Sequence, residues 1–193
     1  MKKIIFATLL AAISLLSYSQ TSSGQWNSTT ATYTNSTHKI TWKLLEEFDW
    51  IGRPILNAST LLKVRTDDIK ALVTLGAIKK TGLIGDIWDY TDKRITQVDE
   101  DYEQIARNNG MTYLGSKSLK SQLCGIHALK RRYDMKKEYP EHQQTVHSIA
   151  IVYILYKNDY FYTVSVTGLS VIEQEAELFE KIATLIFNGF SIK

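Results

Sequence analysis

From residue 145 to 156 the chain reads TVHSIAIVYILY, and both alternating sets of positions are largely apolar. Val146, Ala150, Val152 and Ile154 form one set; Ile149, Ile151, Tyr153 and Leu155 form the other. Strand side chains alternate between faces, so this segment predicts a central strand covered on both sides. Lys157-Asn158-Asp159 reads as a turn, and Tyr160, Tyr162, Val164 and Val166 continue on a returning strand over residues 160–167. Residues 126–135 predict the strand before this pair. Hairpin connections of this kind imply antiparallel pairing.

The period changes twice. Ile95, Val98, Tyr102, Ile105 and Ala106 are spaced for one face of a helix over residues 95–109. Asp99, Glu100, Asp101 and Glu103 fall in its first turns, where negative charge complements the helix dipole, and Asn109-Gly110 supplies the stop. Near the C-terminus Ser170 and Glu173 have capping-box spacing. Ile172, Ala176, Phe179, Ala183, Ile186 and Phe190 then form an apolar stripe, widened by Leu178, Ile182 and Leu185 and closed by Asn188-Gly189.

In the N-terminal half Ile40, Trp42 and Leu44 alternate as a strand, and Arg53-Pro54 interrupts. Residues 60–65 and 69–79 are apolar runs separated by Thr66-Asp67-Asp68; Gly82 and Gly85 follow. The second run places Ile69, Ala71, Val73, Leu75 and Ala77 on one face of a strand, with a helix as the alternative. The whole pattern predicts an α+β fold: an antiparallel β-sheet with helices on both faces, an α/β/α sandwich.

Residues 1–19 carry a different message. Lys2 and Lys3 precede an apolar run from Ile4 to Leu16, followed by Ser17-Tyr18-Ser19, which is the pattern of a signal peptide cut after Ser19. The run is shorter than the roughly 20 residues of a bilayer span, so no transmembrane helix is expected after cleavage. The expected location is periplasmic or secreted. Residues 20–38 are rich in Ser and Thr and read as a flexible lead, with glycosylation-type triplets at Asn27 and Asn35. Residues 39–193 are then a single domain.

Charge and cysteine content narrow the functional classes. Of 23 basic residues, Lys2 and Lys3 leave with the signal, so 21 face 20 acidic ones. A near-neutral body has no general pull toward nucleic acid. The local run Lys130-Arg131-Arg132 alternates along a strand and reads as a solvated strand end. The single cysteine, Cys124, cannot form an internal disulfide.

From Ile95 to Phe190 the chain resembles the PsbP-like family of α/β/α sandwich domains. The resemblance is carried by the helix ending near Gly110, by Leu119 through Gly125, and by Ala128-x-x-Arg131 leading into a strand. The hairpin from Tyr153 to Thr167 and the helix closing on Ile186-Phe187-Asn188-Gly189-Phe190 complete it. The family's N-terminal Pro-x-x-Trp element has no counterpart, although Trp42 and Trp50 lie near that place. What the resemblance implies is a non-catalytic domain that docks on other proteins, with no cofactor.

Motifs for a nucleophile elbow, a zinc helix, a phosphate loop and a dinucleotide loop are missing, so no catalytic residue is assigned. Cys124, His127, His142 and His147 are metal-ligand types within a short span, and a small metal- or ligand-binding domain is the alternative reading. A third is a cysteine-dependent hydrolase with Cys124 as nucleophile and His127 or His147 as base. Tyr153, Tyr156, Tyr160, Phe161 and Tyr162 crowd the central hairpin. Of these, Tyr156, Tyr160 and Tyr162 are the candidates for protein contact. The leading expectation is an exported, non-enzymatic domain binding a protein of the cell envelope or exterior.

Overall fold

Consecutive antiparallel hairpins build most of the molecule, which a computed structural model describes over residues 24–53, 59–81, 87–88, 91–142, 144–171 and 175–193. Residues 1–19, where a signal peptide is expected, and Pro54, Gly82, Gly85 and Glu173 lie outside these residues. Strands β1 (Gly24–Asn27), β2 (Thr32–Asn35), β3 (Ile40–Lys43) and β4 (Ile51–Arg53) come first, followed by β5 (Thr60–Thr66) and β6 (Ala71–Lys79). Helix α1 (Thr91–Asn108) leads into β7 (Thr112–Leu123), β8 (Ile126–Tyr139), β9 (Gln144–Lys157) and β10 (Tyr160–Val171). Helix α2 (Ala176–Asn188) and β11 (Phe190–Ile192) complete the order. The single expected sheet is two antiparallel sheets: a seven-stranded one, β4-β5-β6-β10-β9-β8-β7, and a four-stranded one, β1-β2-β3-β11.

Strand β9 occupies the interior of the large sheet, between β10 and β8. Its register runs from Lys157 opposite Tyr160 on one side and from Ala128 opposite Leu155 on the other. The two apolar sets face separate clusters. Ile149, Ile151 and Leu155 join Val73, Leu75, Val164 and Val166 with Phe179, Ala183, Ile186 and Phe187 of α2 and Trp42 of β3. Ala150, Val152 and Ile154 join Leu129, Tyr133 and Met135 with Val98, Tyr102 and Ala106 of α1. Segment 69–79 resolves as strand from Ala71 onward, with Ala71, Val73, Leu75 and Ala77 buried.

The expected flexible lead is structured from Gly24 onward. Strands β1 and β2 form a hairpin paired to β3, with Tyr33 and Asn35 both 2% exposed. The Ser/Thr composition hides this because only alternate side chains turn inward. Asn35 is committed there: its Nδ2 donates to Tyr33 Oη at 2.9 Å and its Oδ1 accepts the His38 amide at 3.0 Å. Strand β11 pairs with the opposite edge of β3, so the small sheet joins residues 40–42 to 190–192.

Ser170 belongs to β10 rather than to a helix cap, because β10 continues its ladder to Val171 opposite His147. Helix α2 begins at Ala176, and its Leu178 and Leu185 are exposed rather than core. In α1 the acidic residues sit beyond the first turns, since the helix starts at Thr91. Asp99 pairs instead with buried Arg131 of β8, which also donates to Ser116 Oγ at 2.9 Å. Arg132 turns to the other face, toward Asp134 and Glu180. The basic run is therefore mid-strand, its two arginines ion-paired and Lys130 over the Tyr153 ring, not a solvated strand end.

Two glycines end the helices for different reasons. Gly110 has φ +63°, and Met111 N–H reaches the Ala106 carbonyl at 2.8 Å, the helix-closing bond that a left-handed residue permits. Gly189 has φ −79°, which any residue adopts, but a Cβ there would lie 1.8 Å from the Lys43 carbonyl oxygen. Beside it the Trp42 indole, 0% exposed, donates to the Ile186 carbonyl at 2.9 Å and meets the Phe190 ring at 5.3 Å. Gly189→Ala should therefore cost about 3 kcal/mol, by forcing β3 and α2 apart. Gly110→Ala should cost about 1 kcal/mol, from the left-handed backbone alone. Urea unfolding of both variants checks the order; equal losses would contradict the steric account.

Candidate functional site at the turn end of the sheet

The ends of β6, β7 and β9 and the starts of β8 and β10 meet at one end of the large sheet, as the register of Lys79 with Tyr160, Tyr160 with Lys157, and Leu123 with Ile126 requires. The turns are tight, with left-handed backbone at Cys124 (φ 46°), Gly125 (79°), Asn158 (51°) and Asp159 (63°). Several of the side chains singled out in the sequence collect here.

Cys124 is exposed in the β7–β8 turn. Burial of its sulfur nonetheless raises the thiol pKa above the ordinary value, while a hydrogen bond with the Ile192 backbone and the nearby Lys157 charge offset part of the rise. Lys157 Nζ in turn donates to the Ile192 carbonyl at 3.3 Å. The thiol thus faces the small sheet. His127 lies on the α1 side, stacked on Trp88 with ring centroids 4.1 Å apart. Lys120 sits over the same indole, 5.1 Å from its centroid, and the indole N–H donates to the Ala128 carbonyl at 3.2 Å.

The other two histidines are elsewhere. His147 is opposite Lys136, whereas Leu155, opposite Ala128, marks the turn end. That separates His147 from Leu155 by about 26 Å along β9, at roughly 3.3 Å per residue, and the thiol lies beyond Leu155, near Lys157. His142 closes the short 3-10 turn Pro140–His142 at the far end with His147. Among the described residues no three metal-ligand side chains gather. The Cys/His constellation is not assembled by the fold: His127 lies across the sheet from the Cys124 thiol, and His142 and His147 lie at the far end.

The aromatic candidates divide. Tyr156 is half-buried on the α1 side, its hydroxyl 3.0 Å from both the Lys80 carbonyl and an Asp159 carboxylate oxygen. Tyr160 is half-buried on the opposite face, meeting the His38 ring edge-on at 4.6 Å. Tyr162 is 0% exposed and cannot serve as a contact residue. It shares the inward face of β10 with Val164 and Val166, between β6 and β9. Its hydroxyl is 2.9 Å from His38 Nδ1, and burial beside Tyr160 pushes its pKa up to about 12. Burial lowers the pKa of His38. His38 and Trp88 are the parts of this corner that the sequence does not announce: one sits in a Ser/Thr-rich stretch, the other beyond a glycine break.

No protein-family model matches the chain. No curated protein matches it either. Among solved structures, the cyanobacterial PsbP protein (CyanoP) of Synechocystis matches with a TM-score of 0.53, covering 91% of this chain and 95% of its own at 11% identity. The fold is PsbP-like. The resemblance read from Ile95 to Phe190 thus extends, as a PsbP-like architecture, over the N-terminal strands as well. LpqN of Mycobacterium tuberculosis, a protein involved in cell envelope biogenesis, gives 0.46 over 80% of this chain and 83% of its own, at 10% identity. A protein from Bacteroides thetaiotaomicron gives 0.42 at 8% identity, covering 80% of this chain and 45% of its own. Among the described residues no helix is long and apolar enough to cross a membrane.

Two outcomes follow from the local electrostatics. With its thiol pKa raised, Cys124 should alkylate with iodoacetamide at neutral pH more slowly than an unfolded cysteine peptide, and Lys157→Ala should slow it further. Faster labelling in the native protein would revive the nucleophile reading. His38 titrates below 6.5 when folded, so below that pH the unfolded chain binds a proton that the folded chain resists. Stability present above pH 6.5 should fall as pH drops through this window, and His38→Gln should flatten the fall. Parallel melting-temperature curves for the two proteins would exclude the assignment.

Proposed function

We propose that this chain is an exported, non-enzymatic binding domain whose partner is a protein of the cell envelope or exterior. The observation that carries the reading is the turn end itself. Tyr156 and Tyr160 stand half-exposed on opposite faces of the same hairpin tip, each fixed by neighbouring rings or hydrogen bonds. Rigid aromatic side chains with a polar tip are the groups that contribute most at protein interfaces. Cys124 and His127 lie on opposite sides of the sheet here, with His142 and His147 at its far end, which supports this reading over the Cys/His alternatives. The signal-like residues 1–19 support export. In the same reading the large sheet is the middle layer of an α/β/α sandwich, α1 covering one face and α2 with the small sheet the other. The division of β9 side chains between two clusters supports that layering.

The test is native mass spectrometry of the protein isolated from its own host without chelators. An added mass of thousands of daltons, reduced about tenfold in occupancy by Tyr160→Ala, is the expected result. An added mass of tens of daltons per chain would replace this reading with a metal-binding one. Circular dichroism of the variant separates lost contact from lost fold.

A further inference from the structure

Among the described residues, three of the four outer edges in the two sheets are short: β1 has four residues, and β4 and β11 have three each. The fourth, β7, has twelve and is bonded to β8 on one side only. A long open edge presents unpaired N–H and C=O groups, which proteins usually shorten, interrupt with proline or cover. Strand β7 contains no proline, and its bulge, between Tyr113 and Gly115, leaves residues 116–123 in unbroken register with β8. It also carries Leu119, at 63% the most exposed large apolar residue among those described, and Leu114 at 50%. Lys117 and Lys120 project from its two faces, opposite Arg132 and Leu129, and the strand has no carboxylate.

We propose that β7 is a docking edge for an extended acidic segment of a partner protein, which joins the seven-stranded sheet as one further strand. The proposal rests on the binding-domain reading and names its surface and partner chemistry. Main-chain bonds along the edge supply affinity, and alternate side chains supply specificity. In antiparallel register the residues opposite Lys120, Leu119 and Lys117 run acid, apolar, any, acid; in parallel register the order is acid, any, apolar, acid. A second copy of β7 would bring the lysines of both copies into one ladder with no carboxylate, an arrangement that like-charge repulsion disfavours.

The probe is a fluorescent peptide of alternating Thr and Val with Glu-Val-Thr-Glu at its centre, titrated against the full chain by anisotropy. The same peptide with Lys in place of Glu should bind at least about tenfold more weakly, and Lys117→Glu with Lys120→Glu should reverse that preference. Hydrogen exchange should show new protection at alternate β7 amides. Equal binding of both peptides, binding of neither, or protection elsewhere would overturn the proposal. So would a dimer in sedimentation that Ser118→Pro abolishes, because that assigns the edge to a second copy. Host-partner occupancy reports separately: loss with Tyr160→Ala but not with the lysine substitutions sinks the edge and leaves the binding-domain reading standing.

Discussion

Strand β9 has no polar face to give to water. Ile149, Ile151 and Leu155 on one side and Ala150, Val152 and Ile154 on the other are each at most 2% exposed. At about 1.5–3 kcal/mol for each fully buried large apolar side chain, leaving either face open would cost a large share of a domain's net stability. Everything else is arranged around that constraint. Neighbouring strands protect its edges, one set of its side chains shares a buried cluster with residues of α1, and the other shares one with residues of α2 and the small sheet.

The two sides are covered by different means. On the α2 side the contact is almost wholly apolar, with Phe179, Ala183, Ile186 and Phe187 against aliphatic strand residues and the Trp42 indole closing the junction. Helix α1 buries less: among its described residues, Val98, Tyr102 and Ala106. Its position is fixed instead by directional contacts, the Arg131–Asp99 pair and the flat stack of Tyr102 on Tyr133 at 4.1 Å. A buried ion pair contributes little net stability but penalises misplacement, because either partner left alone is costly. The α1 side is thus specified by polar geometry and the α2 side by packed volume.

This contrast explains what can be read from the sequence. Strands β9 and β10 and the inner stripe of α2 are legible because burial there follows simple periods of two and 3.6. Strand β7 is not, since Ser116, Lys117, Ser118 and Lys120 give an edge strand no apolar alternation. The hairpin from Gly24 to Asn35 is invisible for another reason. Its buried positions, Tyr33 and Asn35, sit among small polar residues, so no apolar alternation marks the strands. Ser170 shows the reverse error: a residue with sound local capping spacing lies within β10, whose pairing resumes past a bulge at Val171. At the turn end, Tyr156 and Tyr160 are legible as aromatic density. The burial of Tyr162 depends on which face of β10 meets His38, and only the three-dimensional fold decides that.

The pairing of β11 with β3 has a consequence for how the chain acquires its shape. Ser191 reaches the Thr41 carbonyl across 150 residues of sequence, and Gly189 seats against Lys43 at the same seam. Closing a loop of that length is entropically slow compared with forming a local hairpin. Until residue 190 is available, β3 has one unpaired edge and Trp42 lacks the wall that buries it. The small sheet is therefore completed only when β11 reaches the free edge of β3. Order around Trp42 thus depends on residues some 150 positions further along, and it comes late in folding.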